Sequence, residues 1–506
     1  MKSVYIFLFS LFSLVSLHAQ QISDGLRYST NYTLGTARNA ALSGAMGALG
    51  GDLSAMETNP AGGAVFTNSY ATFSGSYSGK QNDATYFNQT EGSKTNRYNL
   101  NQAGGVFVFH NDNENSKFRK LSVGVNYSLQ NNYKDELYFA GTGNTSLTEF
   151  FLAQAQGISL DLLELQSGET ISSLYRYLGE TYGSAAQNAF LGYQGYLFDP
   201  IDPNNPANAT YLSNVKGDKF NQQYLNLTSG YHTRFTINVA AQVSDNLYLG
   251  ANINTHGFHY RQNDYFLESN NHSASFINRI DFRNNLTTYG SGISAQVGAI
   301  ARVTNNIRLG LSLDTPTWTQ ISEETSQYLE SRRFEEGTNK TAVVNPRVIN
   351  VFEDYTLRTP GKATVSAAYI FGQNGLISLD YSYKGFSDIK FFPSSDSHFQ
   401  NLNRTINNEL KGTSSLRAGG EYIINRFSFR GGFHFEESPY NNSETLGDLI
   451  GYSLGAGVNL GYFNIDLAYL RSEQDSKYQM YTVGLTDKAD VKTVYNNIVL
   501  SLVYSL

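Results

Sequence analysis

Several features that are common in globular proteins are missing from this 506-residue sequence. It has no cysteine, which excludes disulfides, thiolate metal sites and cysteine nucleophiles. Outside residues 4–17, no apolar run approaches the ~20 residues that a membrane-spanning helix needs. The net charge is −7 and the basic residues form no stripe, which argues against nucleic acid as a partner. No histidines have the spacing of a helical metal site, so neither a metal nor a cofactor is predicted.

The first nineteen residues have the pattern of a signal peptide. Lys2 gives the basic start, residues 4–17 form the apolar stretch, and Ala19 is a small residue before a cut at Gln20 or Gln21. The alternative is an uncleaved anchor helix, for which the stretch is short. Because no cysteine follows, a lipid-anchored mature N-terminus is excluded.

What the sequence has in abundance is alternation of apolar and polar residues. Strand side chains alternate with period two, so such a pattern gives one apolar face and one polar face. In the segment 426–435, the apolar face holds Phe427, Phe429, Phe433 and Phe435, and the polar face holds Ser428, Arg430, Gly432 and His434. The pattern recurs and predicts fourteen strands, at roughly 68–79, 98–110, 119–133, 230–243, 246–261, 285–303, 306–315, 360–371, 376–386, 412–424, 427–437, 450–461, 463–472 and 491–506.

The connections between these strands alternate in length. One set is short and includes Ser244-Asp245, Thr304-Asn305 and Asn425. The other set is long and comprises residues 80–97, 134–229, 262–284, 316–359, 387–411, 438–449 and 473–490. Short turns at one rim, long loops at the other and an even strand count are typical of an outer-membrane barrel. We therefore predict an all-β fold, a 14-stranded antiparallel transmembrane β-barrel whose outer face meets membrane lipid.

Residues 22–66 do not alternate, and small residues dominate from Thr36 to Gly47. Asp52 can cap a short helix, and Pro60 disfavours helical geometry at Asn59, so that helix should end there. We expect a compact, partly helical segment directly before the first strand.

The long segment 134–229 contains apolar residues at spacings compatible with amphipathic helices, among them Phe150, Phe151, Leu174, Tyr175 and Leu178. Two interpretations remain open at this point. The helices could pack against neighbouring loops, or they could present an apolar surface over the mouth of the barrel.

Three stretches resemble the FadL-type family of outer-membrane transporters for long-chain fatty acids and hydrocarbons. Gly50-Gly51-Asp52-Leu53-Ser54-Ala55, leading to Asn59-Pro60-Ala61-Gly62, is similar to the family's hatch segment, and the small-residue run from Thr36 to Gly47 fits it too. Ile307-Arg308-Leu309-Gly310-Leu311-Ser312, running into Thr315-Pro316, is similar to a strand-end pattern of the family.

The resemblance implies a barrel over residues 67–506 that is plugged by a small N-terminal hatch over residues 20–66. It implies a gate role for the hatch residues Asp52, Asn59, Pro60, Ala61 and Gly62. Family members bind hydrophobic molecules at the extracellular loops, pass them to an interior site, and release them through the wall beside a kinked third strand. In this chain the third strand has no proline, so the sequence assigns no kink, and the substrate (fatty acid, aromatic hydrocarbon or hemin) stays open.

Charged residues lie on the predicted lumen face of three neighbouring strands near the C-terminus. The candidates are Asp380, Lys384, Arg417, Glu421, Arg430 and His434. They could form a paired network that fills the lumen, or they could anchor the polar head group of a ligand.

The sequence analysis favours a passive channel for uptake of hydrophobic compounds, gated by the hatch. The alternatives are a structural or adhesive barrel and a porin for polar solutes. No nucleophile motif surrounds His256, His259 or His434, so no catalytic residue is assigned and an enzyme is not predicted. Expected partners are outer-membrane lipid, a hydrophobic small molecule and, through the C-terminal strand, the barrel assembly machinery.

Overall fold

The structure, a computed structural model, describes residues 20–30, 34–113 and 116–505. The predicted signal peptide and Leu506 lie outside the described residues. Within them, strands form one large antiparallel sheet. Short helices lie before its first strand and within its longer connections.

Fourteen strands form a closed ring in which each strand is antiparallel to both of its neighbours. The last strand pairs with the first, with Ser501 opposite Ser74, so the ring has no free edge. In chain order these wall strands are β1 Tyr70–Tyr86, β2 Gln89–His110, β3 Lys120–Asn132, β4 Phe220–Ser244, β5 Leu247–Ser269, β6 Ile277–Arg302, β7 Ile307–Asp314, β8 Lys362–Ile370, β9 Gly375–Gly385, β10 Gly412–Ile424, β11 Phe427–Glu436, β12 Leu446–Asn459, β13 Phe463–Gln479 and β14 Lys488–Ser505.

The outer face of the ring is apolar and exposed. On β11, Phe427, Phe429 and Phe433 are 50%, 52% and 43% exposed, whereas His434 on the opposite face is buried. Exposed aromatic residues mark both rims of this band: Tyr231, Tyr289 and Trp318 toward the end with the long connections, and Tyr462, Phe463 and Tyr504 toward the end with the short turns. Such girdles are typical of transmembrane barrels, and the prediction of a fourteen-stranded barrel is confirmed. We call the two ends the loop end and the turn end.

Shorter strands extend the wall at the loop end. Asp135–Gly143 continues beside β4, and Trp318–Glu335 continues beside β6. The remaining short strands are Thr338–Val344, Asn350–Val351, Tyr355–Arg358 and Lys390–Phe392, with a separate pair formed by Phe198–Pro200 and Tyr211–Ser213.

One predicted loop is a hairpin instead. Residues 80–97 continue the ladder of β1 and β2 up to a two-residue turn at Phe87 and Asn88, which have φ values of 46° and 64°. Two successive residues with positive φ are typical of a tight hairpin turn. The sequence hid these strand ends because the segment extends beyond the aromatic rim, where neither face is required to be apolar.

The helices are short. They are α1 Ile22–Ser29, α2 Ala37–Ala41, α3 Leu53–Thr58, α4 Thr148–Ala155, α5 Ile171–Thr181, α6 Ser184–Gln194 and α7 Ser397–Glu409, with 3-10 turns at Pro60–Val65, Leu160–Leu162 and Phe386–Asp388. No helix within the described ranges is both long and apolar enough to cross a membrane. The apolar faces of α4, α5 and α6 pack with Phe198 and Leu329 in one buried cluster at the loop end, in line with the first of the two interpretations above.

Candidate functional site

The N-terminal segment fills the lumen of the barrel. We use hatch for the described residues between 20 and 66. Its central part, from Ala37 to Ala64, is almost entirely buried, and α2 and the 3-10 turn at Pro60–Val65 contact the wall on opposite sides. Small side chains make this possible because they let the hatch backbone come close to the strands.

Glycines of the wall lie where the hatch backbone touches it. A Cβ atom on Gly310 would lie 2.4 Å from the carbonyl oxygen of Gly47, and one on Gly250 would lie 2.4 Å from the carbonyl carbon of Pro60. A Cβ atom on Gly298 would lie 2.0 Å from Oδ1 of Asn59. These separations are shorter than any normal contact, so the hatch fits only against a wall without side chains at these three points.

The predicted gate residues shape the hatch and attach it to the wall. The Asp52 carboxylate accepts hydrogen bonds from the Ser54 amide at 2.8 Å and the Thr36 hydroxyl at 3.0 Å, so Asp52 caps α3 as expected. Asn59 ends α3, and its Oδ1 accepts from the amide of Ala61 at 3.1 Å. Its Nδ2 donates to the carbonyl oxygens of Gly47 within the hatch and Ala299 of β6.

Pro60 and Gly62 complete this group. The Pro60 carbonyl accepts from Asn238 Nδ2 of β4 at 2.9 Å. A Cβ atom on Gly62 would lie 3.2 Å from the carbonyl oxygen of Ala55, so glycine lets the 3-10 turn pack against α3. Gate function for the five residues stays a prediction, since this geometry describes how they hold the hatch in place.

The most buried ion pair of the hatch is formed by Glu57. Its carboxylate accepts from Arg234 Nη2 of β4 and from Asn126 Nδ2 of β3, both at 2.5 Å. The two charged side chains are 4% and 10% exposed, so the pair is largely shielded from water. Sequence reasoning missed it because Glu57 and Arg234 are far apart in the chain and neither stands in a motif.

Two of the predicted lumen charges join the hatch in a second ion-pair cluster. Glu421 accepts from Arg38 Nε of α2 at 3.0 Å and from Arg430 Nε at 2.5 Å, and Arg430 Nη1 also donates to Asp466 at 2.5 Å. The Arg430 side chain, which bonds both carboxylates, is 6% exposed. This arrangement matches the paired-network interpretation for Glu421 and Arg430.

The other four candidates are dispersed. Asp380 accepts from the Gly47 amide at 2.9 Å, and Lys384 donates to the carbonyl oxygen of Ser29, so both hold the hatch. Arg417 Nη2 pairs with Glu436 at 2.7 Å, and His434 lies 3.2 Å from the Ser472 hydroxyl. The structure therefore divides the six predicted residues between hatch contacts and wall contacts.

A cavity of about 1050 Å³ lies between the central hatch and the loop-end helices. Its border includes Asp380, Lys384, Arg417 and His434, whereas Glu421 and Arg430 are not among the described residues that border it. Hatch residues such as Ser43 and Glu57 form its floor, and Phe150 of α4 and Tyr481 lie at its loop end. The cavity is large enough for a drug-sized or lipid-sized molecule.

Helix α1 lies inside this cavity, well above the rest of the hatch. The ring of Tyr28 stacks on Phe258 of β5 with centroids 4.2 Å apart and meets the edges of Tyr133 and Tyr260. The guanidinium of Arg27 lies 4.1 Å from the centroid of Tyr260. Sequence analysis assigned no role to these aromatic residues. A signal was present, since Phe258 and Tyr260 occupy the same face of β5 as the polar Asn252 and Asn254 and so depart from the alternation of the strand.

The third wall strand is interrupted beside the cavity. Backbone pairing between β2 and β3 stops at Gln102 opposite Ser128, a bulge follows in β3 between Leu129 and Asn131, and the strand resumes only at Asp135. Across the resulting seam, side chains replace the ladder: Asn132 Nδ2 donates to Asn99 Oδ1 at 2.7 Å. Residues 130–135 border the cavity. The break that could not be assigned from the sequence thus lies at this bulge.

Among the described residues, no group of three or more histidine, aspartate or glutamate side chains is placed to hold a metal ion.

Comparison with known proteins gives a fold but no sequence relative. No family model matches the chain, and no curated protein matches it. Among solved structures, a FadL homologue of Pseudomonas aeruginosa superimposes with a TM-score of 0.51 at 13% identity, over 93% of this chain and 98% of that one. The toluene transporter TodX of P. putida gives 0.49 at 11% identity, over 92% and 98%. The resemblance seen in the sequence is confirmed at the level of the fold: the chain has the fold of the FadL-type outer-membrane transporters.

Proposed function

We propose that this protein is a passive channel for uptake of hydrophobic compounds across the outer membrane, with the hatch as its gate. The observation that carries the proposal is the position of the cavity. It is closed toward the turn end by the hatch and bordered at its side by the interrupted third strand. A molecule that enters from the loop end therefore meets a floor and a weakened wall.

The energetics of an apolar ligand require a movable element. Burial is worth about 0.8 kcal/mol per methylene, so a chain of roughly fifteen methylenes gains about 12 kcal/mol. That corresponds to nanomolar binding before ordering costs, and such a ligand leaves a rigid site slowly. Two parts of the structure are not held by the barrel ladder, namely the hatch and the seam between Asn99 and Asn132, and we propose that the movable element is among them.

The lumen argues against a porin for polar solutes. A porin keeps a water-filled path from end to end, whereas here the central hatch is buried against the wall on opposite sides. Nothing in the described loops specifically favours an adhesive role. We also propose, from the barrel and the expected signal peptide, an outer-membrane location reached through the barrel assembly machinery by the C-terminal strand.

Two measurements on the purified native barrel test the proposal. Mass spectrometry of extracted lipid should find an apolar ligand at stoichiometric level, and proteoliposomes should take up a labelled hydrophobic compound while excluding a sugar of similar mass. Deletion of residues 22–62 should then admit the sugar and raise ionic conductance. Sugar uptake by the intact protein would refute the proposal, and unchanged conductance after the deletion would refute the gate.

A further inference from the structure

The first described residue is buried near the loop end of the barrel. Gln20 is 4% exposed, and its Nε2 donates to Oε2 of Glu323 at 2.5 Å. Glu323 belongs to Trp318–Glu335, the strand that extends the wall at the loop end. The described part of the hatch therefore starts near the loop end at Gln20, and the hatch leads into β1 at the turn end.

The carboxylate of Glu323 is buried, and no cation of the described residues forms an ion pair with it. It is 1% exposed, and its donors among the described residues are all neutral: the Gln20 amide, the Tyr355 hydroxyl at 3.1 Å and the Thr288 hydroxyl at 3.3 Å. The nearby guanidinium of Arg27 makes its ion pair with Asp24 instead. A buried charge that lacks a partner of opposite sign is costly.

The surroundings of Glu323 would favour a cation. Burial and the carboxylate of Asp24 raise the pKa of Glu323 to about 7, and Arg27 only partly opposes this effect. The phenol of Tyr355 is hydrogen-bonded to Glu323, and the phenol of Tyr28 lies near enough to interact with it electrostatically. The carboxylates of Glu323 and Asp24 thus both lie close to the start of the described residues, and within the described ranges Arg27 is the basic side chain that acts on both.

A cation arises at this point if the signal peptide is removed as the sequence predicts. A cut after Ala19 converts the backbone nitrogen of Gln20, the residue whose side chain contacts Glu323, into an α-ammonium group. We propose that Glu323 is the binding site for the processed amino terminus of this chain, and that their ion pair holds α1 in the cavity. The inference rests on signal-peptide cleavage and is independent of what the channel transports.

The alternative cut predicts a different partner. If cleavage follows Gln20, the new ammonium belongs to Gln21, whose backbone nitrogen already donates to Oδ2 of Asp24 at 2.7 Å. Asp24 also pairs with Arg27, so it has less need of a second cation. Replacing Glu323 by glutamine and Asp24 by asparagine, one at a time, therefore distinguishes which carboxylate binds the amino terminus.

The test uses the mature protein purified from membranes, with its first residue identified by intact mass and N-terminal sequencing. The α-amine is acetylated competitively across neutral and alkaline pH, and the labelled N-terminal peptide is quantified in wild type, Glu323→Gln and Asp24→Asn. An opposite charge raises the pKa of an amine above its ordinary value of about 7.7–8.0. We expect labelling of the wild type near neutral pH to be at least about ten-fold slower than that of Glu323→Gln, one pKa unit being a factor of ten.

Several outcomes would overturn the proposal. They are an ordinary titration of the wild-type amine, the same profile in wild type and Glu323→Gln, a change in Asp24→Asn alone, a first residue other than Gln20, or an N-terminal pyroglutamate, which has no ammonium. Heat-modifiable gel migration reports whether each variant is folded. If Glu323→Gln does not fold, the pKa of the wild-type amine still decides the question.

Discussion

Replacement of Glu57 by glutamine should loosen the hatch while leaving the barrel intact. Glu57 belongs to α3, and its carboxylate is the partner of the buried guanidinium of Arg234 on β4. Glutamine has nearly the same shape and keeps an oxygen for the Asn126 amide, so packing should change little. What it removes is the negative charge that neutralises Arg234 in the docked state.

The magnitude follows from the burial of the pair. Breaking a buried ion pair by removing one partner costs about 3–5 kcal/mol, against about 0–1 kcal/mol for an exposed pair. Glu57 and Arg234 both border the cavity and are therefore not enclosed on every side, so the lower end of the range applies. A loss of about 3 kcal/mol raises the undocked fraction of the hatch about 100-fold, since 1.4 kcal/mol is a factor of ten.

Single-channel recording in planar bilayers measures that fraction as the time spent in an open state. The Glu57→Gln variant should open far more often than the wild type, and the double variant with Arg234→Gln should return toward wild type because no unpaired charge remains. Asp245→Asn is the matched control, since it breaks an exposed pair with Arg119 at the turn end. An open fraction in Glu57→Gln within about two-fold of wild type, far below the factor derived from the buried pair, would refute the reasoning.

Three further changes test other parts of the account. Gly310→Val places a side chain against the Gly47 carbonyl and should speed proteolysis of the hatch. Gly420→Val, whose Cβ would lie at an ordinary 3.8 Å from the carbonyl oxygen of Leu376, should not; equal cleavage would contradict the fit of hatch and wall. Arg430→Ala should lower the unfolding free energy by about 3 kcal/mol through the orphaned Asp466 but leave ligand affinity unchanged; a large loss of affinity would instead assign it to a head group. Cysteines at Asn99 and Asn132, joined by a short thiol-reactive linker, should slow uptake if ligands leave through the seam, and unchanged uptake would exclude that route.

The strands of the barrel wall could be predicted from the sequence because the membrane constrains both faces of each strand. Lipid demands apolar residues outside and the lumen accepts polar ones, so strands such as Phe427–Glu436 are recognisable from alternation alone. The hairpin over residues 80–97 was missed because water surrounds it and removes that constraint. The break in β3 was missed because a bulge at Gln130 causes it, and a bulge needs neither proline nor glycine.

The contacts of the hatch show the other limit of prediction. Thr36, Asp52 and Asn59 act locally as helix caps or ends, and such roles can be read from neighbouring residues. The pairs of Glu57 with Arg234 and of Arg38 with Glu421 join residues that are far apart in the chain. Which wall residues Glu57 and Arg38 contact depends on how the hatch is oriented inside the ring, and no local sequence pattern predicts that orientation.

The central claim, that the hatch must move for uptake, is tested most directly by locking it. The hydroxyl oxygens of Ser43 in the hatch and Ser453 on β12 are 2.8 Å apart, and the chain has no other cysteine to interfere with a disulfide at these positions. A disulfide between Thr364→Cys and Ser382→Cys, whose hydroxyl oxygens are 2.9 Å apart on neighbouring wall strands, is the control. The oxidised hatch lock should abolish uptake of the hydrophobic compound, a reductant should restore it, and the wall disulfide should have no effect. Undiminished uptake through the oxidised hatch lock would contradict the account.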